Sequence, residues 1–296
     1  MQLRKRRHAT TGFSSHENES GQTVTGTRPF LATRIAGGDT TYGVIVKMPA
    51  PALVELVGHT GFDLVVIDTE HGNADDTELE HHLRAADSVG IPALVRVGGN
   101  DPLLILRALD AGAAGVIVPH VSDPEDAQSA VRAAHYPPTG SRGLALSTRA
   151  GRYGTLPLHE HLANAAASTI VVAQVEDKHA VPRSAQIAAT PGLNAVWIGP
   201  SDLSLSLGLP GQLAHPTVVG AIDHIAAEVT ASLHCALCVL VDSTEQAAAW
   251  RQRGARIVLF SSTAILAGQL RKVTDLMGAD VTVAPASSVP SAPVLG

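Results

Sequence analysis

The stretch Asp63–Gly72, DLVVIDTEHG, runs from an apolar segment straight into Asp68, Glu70 and His71. A short β-branched run followed by a polar turn predicts a strand. Three ionisable side chains directly behind it do not belong in an apolar core. They fit the end of a strand that opens onto a site. The same rhythm recurs on both sides: a short apolar run, a polar turn, then an amphipathic helical stretch. Strands are predicted at 42–48, 63–68, 92–97, 115–120, 169–176, 195–200, 236–241 and 256–261. Helical stretches lie between them, among them PALVELVGHTG, DTELEHHLRAADSVG, DPLLILRALDAG and DPEDAQSAVRAAHY, and AILAGQLRKVTDLMG closes the series. Many start after Asp, Ser or Thr and end at Gly, as helix caps require.

Eight apolar strands alternating with helices predict a parallel sheet. With about 250 residues between the two ends, the expected fold is a closed α/β barrel, the (β/α)8 or TIM barrel, built as a single domain. A doubly wound open sheet would carry G-x-G-x-x-G after its first strand, and no such motif is present. The expected organisation is a flexible leader over residues 1–36, the barrel over 37–277, and a loose Pro/Ser-rich tail over 278–296. The segment 137–166, PPTGSRGLALSTRAGRYGTLPLHEHLANAA, breaks the rhythm as a long insertion between the fourth and fifth strands.

Composition narrows the function classes. The chain has 296 residues, 45% of them hydrophobic, a net charge of −6 and 3% aromatics. That supports a sizeable core. It offers neither the basic face nor the stacking platforms of a nucleic-acid binder. Apolar runs are short and interrupted, so no transmembrane span is expected. The N-terminal basic cluster MQLRKRRH is not followed by an apolar stretch, so no secretory signal is read and a cytoplasmic location is expected. Cys235 and Cys238 form a C-x-x-C inside CALCVLV. Residues i and i+3 of a strand point to opposite faces, so two separate buried thiols are expected rather than a redox pair.

In a (β/α)8 barrel the catalytic groups stand at the C-terminal ends of strands. That rim collects Asp68, Glu70 and His71 after the second strand, Arg96 after the third, Gln174 and Glu176 at the fifth, and Asp202 after the sixth. Two carboxylates on adjacent strand ends, Glu176 and Asp202, would repel unless a cation lies between them, and a hard divalent ion such as Mg²⁺ or Mn²⁺ suits such oxygen donors. The alternative is two solvated loop acids. Arg96 offers a planar fork for a carboxylate or an enolate oxygen, or else a surface ion pair. His71 could serve as a base oriented by Asp68, or simply hydrogen-bond to backbone. In IGPSDLS the backbone N–H groups at Ser201 and Asp202 could bind a carboxylate. The runs Glu80–His81–His82 and His159–Glu160–His161 look like ligand clusters, but neighbours on a helix do not share a face.

Taken in order, VVIDTEHG, ALVRV..ND, YPPTGSRG, VAQVED and IGPSDLS resemble the HpcH/HpaI family of class II pyruvate aldolases, which includes the 2-keto-3-deoxy sugar-acid aldolases. The resemblance spans about residues 40 to 272. It implies a barrel of the phosphoenolpyruvate/pyruvate type. It also implies metal-dependent, reversible cleavage of a 4-hydroxy-2-oxo acid to pyruvate and an aldehyde. By motif match Glu176 and Asp202 are the metal ligands (Mg²⁺ or Mn²⁺, with Co²⁺ as an alternative), and Arg96 holds the pyruvate carbonyl or enolate oxygen. His71, paired with Asp68, is the acid/base residue, Gln174 lies near the substrate, and the N–H groups of Ser201 and Asp202 take the carboxylate. Asp110 matches a position that reaches a neighbouring subunit's site, and the implied assembly is a homohexamer, or a trimer or dimer of it, with the last helix exchanged. The family commonly has Gly where Thr69 stands, Ala where Ser201 stands and bulkier residues at Val97–Gly99, the last of which implies a wider pocket.

Three rival readings remain at this point. A Schiff-base aldolase needs a desolvated lysine, and Lys47 and Lys178 sit near strand ends. Related enolate chemistry would decarboxylate oxaloacetate or cleave an acyl-CoA. A barrel without activity would serve as a binding or assembly module. Of Arg142, Arg149 and Arg152 in the insertion, one could meet a substrate's distal carboxylate, with surface ion pairing as the equal alternative.

Overall fold

A computed structural model of the chain describes residues 30–277. Eight parallel strands, β1 (Thr41–Val46), β2 (Leu64–Asp68), β3 (Ala93–Arg96), β4 (Gly115–Val118), β5 (Ile170–Val175), β6 (Ala195–Ile198), β7 (Ala236–Val241) and β8 (Ala255–Ser261), pair in sequence order. The pairing of β8 with β1, Leu259 against Gly43, closes the barrel. The fold is therefore the expected (β/α)8 barrel, and each strand lies within two residues of its predicted span.

Strand periodicity makes two cores. Ile45, Leu64, Val66, Leu94, Ile117, Ile170, Val172 and Leu259 point inward and fill the barrel. Their alternates Val44, Val65, Ile67, Val95, Val116 and Val171 point outward and pack under the helices. Both faces of each strand are buried, which is why the strands read as continuous apolar runs rather than as alternation. Gly43 permits the tight interior: a β-carbon there would lie 2.7 Å from Leu64 Cγ and 2.9 Å from Leu259 Cδ2.

The helices around the barrel are α1 (Leu31–Ala36), α2 (Pro51–His59), α3 (Asp76–Ser88), α4 (Pro102–Asp110), α5 (Pro124–Ala134), α6 (Leu158–Ser168), α7 (Ser184–Ala188), α8 (Pro200–Ser206), α9 (Pro216–Ala231), α10 (Thr244–Gln252) and α11 (Ser262–Leu276). Asp75 opens α3 by accepting from the backbone N–H groups of Thr77 and Glu78, both at 2.9 Å. Asp101, Asp123, Ser243 and Ser261 cap α4, α5, α10 and α11 in the same way.

Two segments differ from the sequence expectation. Residues 31–36, assigned to the leader, form α1, whose Leu31 and Ile35 join the inner core, while Arg34 Nη1 pairs with Asp63 Oδ1 at 2.9 Å. Asp63 precedes β2, so α1 closes the end of the barrel opposite the strand C-termini. Six residues with no side-chain cap carry too little local signal to be recognised as a helix; burial alone selects it. The rest of the leader, and the proposed tail, lie outside the described residues. The insertion 137–166 runs into α6, a barrel helix that packs on α1. Its loop is held down by Arg149, which donates to Ala111 O at 2.8 Å and pairs with Asp87.

Candidate active site

The register places Asp68 beside Arg96 on β3. The two form a bidentate pair: Arg96 Nε donates to Oδ1 at 3.0 Å and Nη2 donates to Oδ2. Both are nearly or fully buried. Oδ1 also accepts the backbone N–H groups of Glu70 and His71, each at 3.2 Å. The chain after β2 thus wraps around its own aspartate. Gly72 allows the wrap, since a β-carbon there would lie 2.0 Å from Asp68 O and 2.8 Å from Lys47 O. Burial alone would raise the Asp68 carboxyl, but the hydrogen bonds and charge of Arg96, with the His71 N–H and the Lys47 ammonium, outweigh it and hold the carboxyl below its ordinary value.

The expected pairing of Asp68 with the His71 imidazole does not form. Asp68 holds His71 through its backbone, and its side-chain oxygens are committed to Arg96. The imidazole Nε2 lies 3.7 Å from Glu70 Oε2 and opens toward solvent. Arg96 also approaches Glu70 Oε2 with Nη1 at 3.2 Å, donates to Gln174 Oε1 at 3.4 Å, and lies 5.1 Å over the Trp197 ring.

Glu176, just past β5, is 2% exposed. Its Oε2 accepts from Gln174 Nε2, and its Oε1 accepts the backbone N–H of His120 at 2.9 Å. Gly199 makes room: a β-carbon there would lie 2.5 Å from Glu176 Oε2 and 2.9 Å from Gln174 Nε2. Burial pushes the Glu176 carboxyl up, against the His120 N–H and imidazole that lower it; the nearby carboxylates Asp202 and Glu70 push it up further. Asp202 stands in the first turn of α8.

His120 escaped the sequence reading. It ends PH after β4, where the strand-end rule that found Arg96 points equally. Its imidazole spans two acids, with Nδ1 3.0 Å from Glu176 Oε1 and Nε2 3.3 Å from Glu70 Oε1. Its φ of 56° lies in the left-handed region, a strain tolerated where surroundings fix the backbone.

A cavity of about 220 Å³ opens beside these groups, lined by Lys47, His71, Arg96, Gln174, Ser201 and Asp202 above a floor that includes Ile45 and Trp197. Asp68 lies behind it, paired with Arg96. Six of the residues singled out in the sequence, Lys47 among them, therefore converge on one cavity, and Glu176 stands behind its wall, bonded to Gln174. Asp110 does not join them within one chain: it ends α4 on the barrel exterior and receives Arg142 Nη2 at 2.8 Å. Arg142 and Arg149 are thereby occupied in fastening the insertion. Lys178 is absent from the cavity wall, and its backbone N–H donates to Ser206.

The donors fit a hard divalent cation. Glu176 and Asp202 are carboxylates whose mutual repulsion a cation would relieve, and buried Glu70 Oε2, although 3.2 Å from Arg96 Nη1, accepts no hydrogen bond. Among the described residues no group of three or more His, Cys, Asp or Glu side chains has ligating geometry. A bound ion would take two protein ligands and complete its shell from water and substrate, as Mg²⁺ commonly does.

The remaining clusters are structural. Buried His82 accepts from Ala50 N–H at 3.0 Å, and His161 meets Tyr136 Oη at 2.9 Å. Cys235 belongs to the outer core and Cys238 to the inner, as strand alternation predicts. Burial pushes the Cys235 thiol up to about 12.

Fold and rim together define a (β/α)8 barrel with an arginine-centred acidic cavity at its strand C-termini. A family model, HpcH/HpaI aldolase/citrate lyase, matches residues 42–267, and the chain belongs to that family. The chain is 38% identical over 190 residues to a pyruvate aldolase of Rhizobium etli, covering 64% of this chain and 74% of that protein. It is 40% identical over 181 residues to a 2-dehydro-3,6-dideoxy-6-sulfogluconate aldolase of Pseudomonas putida, covering 61% and 70%. The crystal structure of a family member from Burkholderia cenocepacia superposes with a TM-score of 0.79 at 32% identity, covering 84% of this chain and 99% of that one.

Proposed function

We propose that the chain catalyses metal-dependent, reversible aldol cleavage of a 4-hydroxy-2-oxo acid to pyruvate and an aldehyde. The observation that carries this reading is the cavity in which Arg96 faces Gln174 beside the Glu176–Asp202 acid pair. The similarity to pyruvate and sugar-acid aldolases supports the same chemistry. Glu176 and Asp202 would hold Mg²⁺, Mn²⁺ or Co²⁺, which supplies Lewis acidity at the 2-oxo oxygen when bound.

The chain's own residues do the rest. The backbone N–H groups of Ser201 and Asp202 receive the substrate carboxylate. Arg96, fixed by Asp68, binds the oxygen at C2 where charge develops as the C3–C4 bond breaks. His71, directly or through a water, takes the proton of the C4 hydroxyl, whose oxygen becomes the aldehyde carbonyl. The bonding electrons pass to the C2 oxygen, and protonation at C3 then yields pyruvate.

The Schiff-base alternative would use Lys47, but that side chain is 39% exposed and faces the Asp68 carboxylate, unlike a desolvated nucleophile. Assembly as a homo-oligomer, a hexamer on the family pattern, accords with the exposed Ile265, Leu266, Leu270 and Val273 along α11. In such an assembly Asp110 would face a neighbouring site. Among the described residues no helix is long and apolar enough to cross a membrane.

The test is exchange of the pyruvate methyl protons into D₂O, followed by NMR with Mg²⁺, Mn²⁺ or Co²⁺ and after EDTA, together with an aldehyde screen. Exchange that needs a metal is the expected result. No exchange under any condition favours a silent binding module, decarboxylation of oxaloacetate without aldol addition favours the related enolate reaction, and a stable adduct after borohydride with pyruvate would overturn the metal reading.

A further inference from the structure

The sequence offers Lys47 only as a nucleophile, and its position argues for another role. It follows β1 directly, and the register of Val46 with Ile67 puts it level with Asp68. Its backbone is pinned, because the β2 turn packs so closely that a β-carbon at Gly72 would meet Lys47 O at 2.8 Å. Its side chain lines the cavity.

Among the described residues the ammonium has one ion-pair partner, Asp68, and makes no hydrogen bond to it. Nζ stands 3.8 Å from Asp68 Oδ2, beyond hydrogen-bond distance. A carboxylate accepts about four hydrogen bonds, and Asp68 already takes two from Arg96 and two from the backbone of Glu70 and His71. The Arg96 guanidinium neutralises that carboxylate, so the Lys47 charge is surplus to the pair. It stands at the wall of a cavity whose nearby lining from β1, β7 and β8 is Ile45, Leu240 and Ser261, with no acid among them.

Ring order fixes which end of a substrate it meets. Strand β1 is four strands from β5 in a closed ring of eight, so Lys47 faces Glu176 across the mouth. The oxo-acid end of the substrate is assigned to β3, β5 and β6. The opposite end, the aldehyde half, is directed toward β1. A single ammonium on a flexible stem suits a singly charged carboxylate, whereas phosphate sites gather several donors.

Resting on the aldolase reading above, we propose that Lys47 binds a carboxylate at the far end of the aldehyde half, making the enzyme selective for 2-oxo acids that are anionic at both ends.

The test compares two keto acids of equal chain length, 2-oxopentanedioate and 2-oxopentanoate, titrated calorimetrically into the full chain at fixed Mn²⁺. The dianion is expected to bind about tenfold tighter to the wild type, the scale of one charge-assisted hydrogen bond. Lys47→Met should abolish that preference and Lys47→Arg should retain most of it. Circular dichroism of both variants checks the fold, and the wild-type comparison stands without them. Equal affinity for the two acids in the wild type, or a preference that survives in Lys47→Met, overturns the role of Lys47. Loss of pyruvate methyl exchange in the wild type removes the aldolase reading instead, so the two failures are told apart.

Discussion

Arg96 and Asp68 are register partners on adjacent strands, and the guanidinium commits Nε and Nη2 to the carboxylate while Nη1 remains turned toward Glu70 and Gln174. One face of the arginine is structural and the other is available for chemistry. Fixing a planar donor in this way removes its rotational freedom before substrate arrives.

Replacing Asp68 with Asn therefore takes the bidentate partner from a buried guanidinium beside Lys47 and leaves it Glu70 alone. Breaking one partner of a buried pair costs about 3 kcal/mol or more, so urea unfolding of Asp68→Asn at pH 7 should show a loss of that order. The pH dependence has a definite sign. The Asp68 carboxyl is held below its ordinary value in the folded chain. Its contribution is therefore fully present above the unfolded carboxyl value of about 3.9 and is lost as pH falls through the lower folded value. The stability difference between wild type and Asp68→Asn should shrink on acidification through that window. A constant gap down to pH 2 would contradict the pairing.

Gly199→Ala tests the seat of Glu176. The added carbon would lie 2.5 Å from Glu176 Oε2, so the carboxylate must move. Overpacking of this kind costs about 1–3 kcal/mol, and displacing a reacting group by about 1 Å can cost on the order of 100-fold in rate. A folded Gly199→Ala protein with normal metal-dependent pyruvate exchange would show that Glu176 need not sit where it does.

His120 separates backbone strain from side-chain function. Its φ of 56° costs a side-chain-bearing residue about 1 kcal/mol or more that glycine avoids. His120→Gly should accordingly unfold at higher urea than His120→Ala, by about 1 kcal/mol in extrapolated stability. Both variants lose the imidazole between Glu70 and Glu176, so both should fall together in pyruvate exchange. Equal stability of the two would remove the strain argument.

The barrel was legible because its signals are local. Apolar runs such as DLVVID and TIVVAQVE, with capping Asp and Ser residues ahead of the helices, fix where each element starts. Closure followed from the number and alternation of strands. The strand-end rule carried the cavity residues Arg96, Gln174 and Asp202 correctly to one rim. Partner choice was not legible. Whether Asp68 meets His71 or Arg96 depends on the β2–β3 register and on how the turn folds back at Gly72. Neither is encoded in spacing along the chain. Lys47 was noticed as a nucleophile only, since the saturation of Asp68 by four donors appears only once those donors are in place. Helix α1 and the start of α6 were missed because short helices are stabilised by what they cover rather than by their own pattern.

Helix α1 stops the lower end of the barrel with Leu31 and Ile35 packed into its inner core. Among the described residues the barrel interior beneath the cavity is filled by the inward side chains, so the cavity opens on the side of the strand C-termini. On the aldolase reading both fragments must leave through the opening by which the intact acid came in. The fragment lodged deeper, pyruvate against Arg96, has to wait for the aldehyde in front of it to go. Ordered departure, with pyruvate competing directly with the intact acid for the empty enzyme, is what such a filled interior would impose.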